Sequence, residues 1–476
     1  MKNLSEDCKK KCQIFTPKEN VREMLDWVGY TKNLYGKKVL EPTFGKGNIL
    51  CEIVKRYIED CIGNKLPLQQ IKNGLERDIY GVEYDEVFLE SCKSKLNDLV
   101  ESYEIKNVKW NFISKDFLEM KYDIGFDYIV GNPPYISYRD LDEKTREFVR
   151  NNFEVCKEGK FDYCYAFIEK GINLLKSGGK LVYLIPGSIF KNVFSKKLRE
   201  YIITDLTDIF DYGSRALFNE EASGKRRSIL TTSAVFIVNK NSNLPNINYY
   251  DVCNNDKPIV IEKNELGQKW VFVNNVIRGT KRFGDYFKVA NSVATLFNEA
   301  YVITETDELY SKDIGLVLRE AASPKNLEKH KKEKIIFPYY YERGVLKRFD
   351  VEFFEEEYSE VCKHLKKYEN DLLKRKSDLN TSWFEYGRSQ ALKDLNQPKL
   401  LTSIVVTNKI KVYSLKKDVI PYSGIYIVPK SDYSLKYAKE ILESEAFFEY
   451  IKGVGIHASG GSFRITSKDI NNYYFE

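Results

Sequence analysis

A seven-stranded, doubly wound (Rossmann-like) α/β domain followed by a mixed α/β domain is the fold class this chain predicts. Three observations carry it. Short apolar runs alternate with helical patterns through the first half, the signature of βαβ units on a parallel sheet. Acidic, amide and aromatic residues sit where consecutive strands end, which is where open α/β sheets bind ligands. The polar, turn-rich stretch Asn-Lys-Asn-Ser-Asn-Leu-Pro at 239–245 then breaks the rhythm. The expected domains are therefore 1–240 and 246–476.

The elements follow in order. A first strand is expected over 37–40, and a helix from Gly47 to about Ile62. A second strand spans 79–83. A helix over 87–101 carries Leu89, Cys92, Leu96 and Leu99 on one face. Strands are expected at 108–113 and 128–130. A helix over 161–175 is stopped by Ser177-Gly178-Gly179. Strands at 181–185, 209–212 and 234–238 complete seven. In the second half, 358–376 reads as a basic amphipathic helix whose Lys363, Lys366, Lys367, Lys374 and Arg375 form a solvated face. Residues 400–406 and 424–428 read as strands. The glycine-rich 453–461 stretch, with His457, reads as a flexible loop with no assigned role.

Composition excludes several classes. With 476 residues, 43% hydrophobic and 30% charged, the chain has an ordinary globular make-up. A net charge of +6, shared about evenly between the halves, permits a polyanionic partner without demanding one. Nine scattered cysteines form no C-x-x-C pair, and Cys8 and Cys12 lack the second pair that a zinc site needs. They read as free thiols of a cytoplasmic protein. Only three histidines occur, far apart, so neither a His-based metal site nor a catalytic triad is expected. No apolar run is long enough to span a membrane.

The chemistry lies at the strand ends. Glu41-Pro42-Thr43-Phe44-Gly45-Lys46-Gly47 gives a Gly-x-Gly turn that lets a ligand approach the backbone. Leu50 replaces the third glycine of the nicotinamide fingerprint, and Asn48 denies the Lys-Ser/Thr ending of a phosphate loop. The turn thus suits a ligand without pyrophosphate, and Glu41 suits a cationic one. Glu83, ending the second strand, can accept two ribose hydroxyls. It lies well beyond the usual spacing of about 20 residues, with 61–78 read as an insertion. Asp116-Phe117 after the third strand can take an exocyclic amine and pack on a base. Asn132-Pro133-Pro134-Tyr135 ends the fourth strand. Two prolines fix two φ angles and remove two donors. The Asn132 amide oxygen and the Pro133 carbonyl are left as acceptors beside the Tyr135 ring, a set that suits a planar amine. S-adenosylmethionine matches a nucleoside with a positive centre and no phosphates. Two acceptors on an aromatic amine would draw its nitrogen toward sp³ and free the lone pair for in-line methyl transfer, with neither metal nor covalent intermediate. None of the 13 prolines precedes a Cys, which argues against cytosine carbon-5 chemistry.

In this order the motifs resemble those of the amino-methylating DNA methyltransferases of the TaqI/Eco57I-like gamma group. Phe15-Thr16-Pro17 is similar to that family's N-terminal cofactor motif. The Glu41–Gly47 turn, Gly81-Val82-Glu83, Asp116-Phe117 and Asn132-Pro133-Pro134-Tyr135 follow in turn, then Phe161-Asp162-Tyr163 and Gly178-Gly179-Lys180-Leu181. The resemblance covers 13–240, and more loosely the second half through Phe283-Gly284-Asp285-Tyr286-Phe287 and Trp383–Arg388. It implies adenine N6 as the methylated atom, with Phe218 as a second aromatic sandwiching the base. It also implies a target-recognition role for 246–476. A base within a duplex cannot reach such a pocket, so it must be flipped out. Lys225-Arg226-Arg227, expected on a loop at the rim, would hold target-strand phosphates.

Double-stranded DNA is the expected partner of a monomeric enzyme. No room for a nuclease precedes the first cofactor motif, and the second half has no Pro-Asp…Glu-x-Lys cluster. Any partner restriction endonuclease is therefore expected as a separate chain. The competing readings are a cytosine-N4 DNA methyltransferase, an RNA adenine methyltransferase, a glutamine-N5 release-factor methyltransferase, and a degenerate, non-catalytic DNA-binding specificity subunit.

Overall fold

The computed structural model describes residues 16–213, 215, 217–222, 225–229, 232–253, 257–272, 279–458 and 461–476, with the backbone alone at 218–222 and 225–229. The chain divides into two compact units, Met1–Phe272 with Ile456–Gly461, and Val273–Gly455 with Ser462–Glu476.

In the first unit the described strands are β1 (Val39–Glu41), β2 (Ile79–Glu83), β3 (Asn111–Ser114), β4 (Phe126–Gly131), β5 (Leu175–Pro186), β6 (Leu206–Asp211), β7 (Phe218–Ala222), β8 (Lys225–Ile229), β9 (Ser233–Asn239), β10 (Asn246–Asp251) and β11 (Ile259–Glu262). Its helices are α1 (Lys18–Val28), α2 (Asn48–Gly63), α3 (Leu68–Asp78), α4 (Glu86–Glu101), α5 (Glu143–Asn152), α6 (Cys164–Leu174) and α7 (Lys196–Ile202). The main sheet has nine strands in the order β11-β10-β6-β9-β5-β4-β1-β2-β3. Strands β3 through β5 are mutually parallel, whereas β9 runs antiparallel between β5 and β6.

The sheet is doubly wound because alternate strand residues feed two separate cores. Leu40, Ile129, Leu181, Tyr183, Ile185 and Phe236 belong to one. Val39, Val130, Val182, Leu184, Val235 and Ile237 belong to the other. All twelve are buried. Removing one such aliphatic side chain forfeits about 1.5–3 kcal/mol of burial before any cavity term.

Three expectations change. The sheet has nine strands rather than seven, because β10 pairs parallel with β6 and β11 extends that edge. The stretch 239–245 is consequently a turn within the sheet, and the compact units divide near residue 272 instead. Residues 225–227, expected on a loop, lie in β8, whose backbone pairs antiparallel with β7, Arg227 in register with Glu220 and Arg226 with Glu221. The inserted 61–78 stretch is largely α3, whose Leu75 and Ile71 are buried.

The second unit contains two four-stranded sheets and its own core. One sheet pairs Phe287–Asn291, Ile425–Pro429, Lys399–Thr402 and Val412–Leu415, all antiparallel. The expected 358–376 helix is two short ones, Ser359–Lys366 and Glu369–Leu373. Arg375 leaves the solvated face. Its guanidinium donates to the carbonyls of Thr295, Trp383 and Glu385 and to the Tyr301 hydroxyl. Among the described residues no helix is long and apolar enough to cross a membrane.

Candidate active site

Strand order fixes where a ligand can enter. From β1 the chain winds to β2 and β3 on one side, then to β4 and β5 on the other. The connections leaving the carboxyl ends of β1 and β4 part at this switch point and open a crevice. The register confirms the neighbourhood, with Leu40 beside Ile129 and Glu41 beside Gly81. Thr43 Oγ1, on the first connection, donates to the Asn132 carbonyl oxygen on the other at 3.3 Å.

The glycine turn is built by positive φ. Gly45 has φ 48° and Gly47 φ 78°, and Gly47 is the residue from which α2 starts. A Cβ at Gly47 would stand 2.2 Å from Cys92 Sγ on α4, so the turn and helix pack too closely for a side chain. Glu83 braces the turn from below. Its Oε2 accepts from the Gly45 amide at 2.8 Å and its Oε1 from the Asp85 amide at 3.0 Å. The carboxylate has more lone pairs than these two bonds use. Burial raises the Glu83 carboxyl pKa, against the lowering effect of these amide bonds.

Glu41 is the buried acid of the crevice, at 2% exposure. Burial pushes its pKa well up, and Glu83 adds to the rise. Its Oε2 has no hydrogen-bond partner among the described residues. An acid so placed is complementary to a cation.

Thr16 and Pro17 close the crevice from the N-terminal side. Pro17 caps α1. Thr16 is buried, and its carbonyl accepts from Asn48 Nδ2 at 3.0 Å while its hydroxyl accepts from Asn132 Nδ2 at 3.2 Å. Phe15 lies outside the described residues.

Past β4, Pro133 is buried and Asn132 and Tyr135 are half-buried. The Tyr135 hydroxyl is enclosed, and burial raises its pKa far above the phenol range. The Phe161–Tyr163 segment lies alongside. Ser137 bridges antiparallel to Asp162, and the Tyr163 amide donates to the Ile136 carbonyl at 2.9 Å. Burial pushes the Asp162 carboxyl up to about 6.

Asp116 caps the turn Phe117–Glu119 by accepting from the Leu118 amide at 3.0 Å, and the Tyr163 hydroxyl reaches its other oxygen at 3.4 Å. Phe117 is mostly a packing residue. It is 2% exposed, stacked on Phe167 at 5.6 Å, with Lys170 Nζ 5.0 Å from its ring centre. That ammonium donates to the Leu118 and Met120 carbonyls, and burial lowers its pKa to about 8. The side chains of Phe218, Lys225, Arg226 and Arg227 lie outside the described residues. Sequence reasoning missed Thr43, Asn48 and Cys92, whose roles arise from contacts between connections that no local pattern marks.

This sheet, with its glycine turn at the switch point, defines a doubly wound α/β domain with a ligand crevice at its strand ends. Residues 44–218 match the Eco57I restriction-modification methylase family, so the likeness to Eco57I-like DNA methyltransferases is shown over that segment. Modification methylase CviBIII of Paramecium bursaria Chlorella virus NC1A is 32% identical over 207 residues, 43% of this chain and 45% of that protein. Type II restriction enzyme and methyltransferase RM.Eco57I of Escherichia coli is 24% identical over 387 residues, 67% of this chain and 37% of that protein. The aligned region is thus less than half of either relative. Among solved structures, the Type IIL restriction-modification enzyme MmeI in complex with DNA shares the fold, with TM-score 0.62 and 13% identity over 96% of this chain and 64% of that one.

Proposed function

We propose that this chain methylates N6 of an adenine flipped out of double-stranded DNA, using S-adenosylmethionine. The observation that carries the reading is the convergence on one crevice of the Gly45–Gly47 turn, the buried Glu41 acid and the Asn132–Tyr135 segment, joined by the Thr43 and Thr16 hydrogen bonds.

The residues present fit the cofactor. The positive-φ Gly45–Gly47 turn carries no side chain at its glycines, Glu83 can accept from ribose hydroxyls, and the unpartnered Glu41 oxygen matches a positive charge. Asp116 would take the adenine amine of the cofactor. The bound cofactor supplies an electrophilic methyl group on a sulfonium.

The rest is this chain's work. Asn132 Oδ1, on the other side of the amide from the Nδ2 that donates to Thr16, would accept one N–H of the target amine, with the Pro133 carbonyl accepting the other. Tyr135 stacks on the base from one side, and Phe218 is proposed on the other. Two acceptors on one NH₂ localise its lone pair toward the methyl group. The barrier thus falls through positioning and preorganised dipoles. Lys225, Arg226 and Arg227 are proposed to hold phosphates, and the second unit to read bases. The relatives' names, Type II methyltransferases and a restriction enzyme with methyltransferase, support DNA as the substrate.

Incubating the protein with labelled S-adenosylmethionine and duplex DNA, RNA or a translation release factor tests this. Label is expected on duplex DNA. Label on the release factor or on RNA overturns the reading.

A further inference from the structure

Strand β5 ends at Pro186 and runs parallel to β4, with Tyr183 opposite Gly131, so the chain leaves it at the same sheet edge as Asn132. It then forms two short turns, Gly187–Phe190 and Val193–Ser195, before α7. Val193 is 75% exposed and Phe194 44%. The residues from 187 to 199 (GSIFKNVFSKKLR) carry Lys191, Lys196, Lys197 and Arg199 and no acid. Phe194 lies over Gly159, where an added Cβ would stand 3.0 Å from its Cδ1. Gly159 leads into Phe161-Asp162-Tyr163, which is bridged to Ser137 just past Tyr135. The exposed pair therefore stands at the rim of the crevice.

The turn is tied together by a buried arginine. Arg199 is 3% exposed and forms no ion pair among the described residues. Its Nη1 donates to the Ile189 carbonyl at 2.7 Å, the Asn192 carbonyl at 2.8 Å and Ser195 Oγ at 2.8 Å. Ser195 Oγ donates to Ile189 at 2.6 Å, and the Phe194 amide to Asn192 Oδ1 at 3.1 Å. Burying a guanidinium costs several kcal/mol unless its donors are satisfied. Its Nε has no hydrogen-bond partner among the described residues, but its Nη1 ties together a turn whose tip is apolar and open to water.

We propose that Val193 and Phe194 form a wedge that enters the base stack of duplex DNA beside the extruded base, with Lys196 and Lys197 on the flanking phosphates. This deepens the DNA-methylation reading and rests on it. Extruding a base leaves a gap whose neighbours have lost their stacking partner, and an apolar side chain inserted there restores contact. Charge selects the occupant. Exposed lysines next to an apolar tip attract a polyanion with an apolar interior and repel a second copy of the same basic surface. Lys196 lies 3.6 Å from Glu200, an exposed pair that a phosphate readily replaces.

The test compares the full chain with a Val193→Ser/Phe194→Ser double variant and a Lys196→Ala/Lys197→Ala double variant. Each is assayed for thermal unfolding, cofactor affinity, binding to a fluorescein-labelled duplex, and methyl incorporation into plasmid DNA. Both variants are expected to match wild type in unfolding temperature and cofactor affinity. The wedge variant should incorporate methyl groups about tenfold more slowly at saturating DNA, a loss within the range of one base-stacking contact. The lysine variant should lower the slope of log affinity against log salt by about 1–2. A wedge variant equal to wild type in rate and duplex affinity overturns the wedge and leaves the methylase reading intact. Duplex binding that depends on the wedge, without methyl transfer by wild type, overturns the methylase reading alone. Neither transfer nor duplex binding overturns both. A wild-type dimer that the wedge variant makes monomeric identifies the patch as a self-association surface and overturns the proposal.

Discussion

The Thr16 hydroxyl accepts a hydrogen bond from the carboxamide nitrogen of Asn132 at 3.2 Å, across more than a hundred residues of sequence. In this orientation Nδ2 faces Thr16 and Oδ1 points the other way. The same Thr16 is tied by its carbonyl to Asn48, the first residue of α2. One residue thus links the glycine turn to the amine-gripping segment.

Thr16→Val keeps the shape and removes the acceptor. Turnover should fall about tenfold, equivalent to about 1.4 kcal/mol, while the cofactor dissociation constant changes less than about threefold. Thr16→Ser should restore the rate. Steady-state kinetics with DNA varied at saturating cofactor checks this.

Asp116 and Asn132 should separate binding from chemistry. Asp116→Ala removes a carboxylate that already caps its own turn, and should weaken cofactor binding about tenfold or more. Asn132→Ala should leave that affinity nearly intact and lower turnover by at least a hundredfold. Calorimetric titration with S-adenosylmethionine beside single-turnover rates distinguishes them, and unchanged affinity in the Asp116 variant contradicts the pocket assignment.

Gly47→Ala should destabilise the first unit by about 2–4 kcal/mol, from the positive φ and the collision with Cys92 together. Adding Cys92→Ala should recover the part due to crowding and leave the backbone part. Thermal unfolding of the three proteins gives the comparison.

The raised Glu41 carboxyl makes cofactor binding pH-linked. A cation arriving beside it favours the ionised form and lowers its pKa, so binding releases a proton in the window between the bound and free values. Affinity for S-adenosylmethionine should therefore rise with pH across that window, whose upper end lies well above 4.5. Neutral-sulfur S-adenosylhomocysteine should release fewer protons. Calorimetry in buffers of different ionisation enthalpy counts them, and Glu41→Gln should abolish the difference.

Much of the first unit was legible because its strands are apolar runs closed by distinctive residues. Ile79–Glu83 and the helices begun by Gly47 and Glu86 lie within a residue of expectation. β10 was not, since Asn-Ile-Asn-Tyr-Tyr-Asp buries only Ile247 fully and follows a turn that reads as a linker. β8 was hidden because Lys-Arg-Arg-Ser-Ile has no apolar alternation to mark a strand, yet its backbone pairs antiparallel with β7. His457 shows a different limit. Glycines around it suggest a free loop, yet Ile456–Ala458 is a strand of the first unit, and burial, together with nearby Lys191, lowers the imidazole pKa. Sites assembled between connections, such as Thr43 with Asn132, leave no periodic trace at all.

The central claim is that the Asn132 and Pro133 oxygens grip the exocyclic amine of an adenine. Nucleoside analysis of duplex DNA treated with the purified chain and S-adenosylmethionine addresses it directly. The account predicts N6-methyladenine with wild type and, over the same time, at least about a hundredfold less with Asn132→Ala. N4-methylcytosine as the product, or N6-methyladenine formed undiminished by the Asn132 variant, would contradict it.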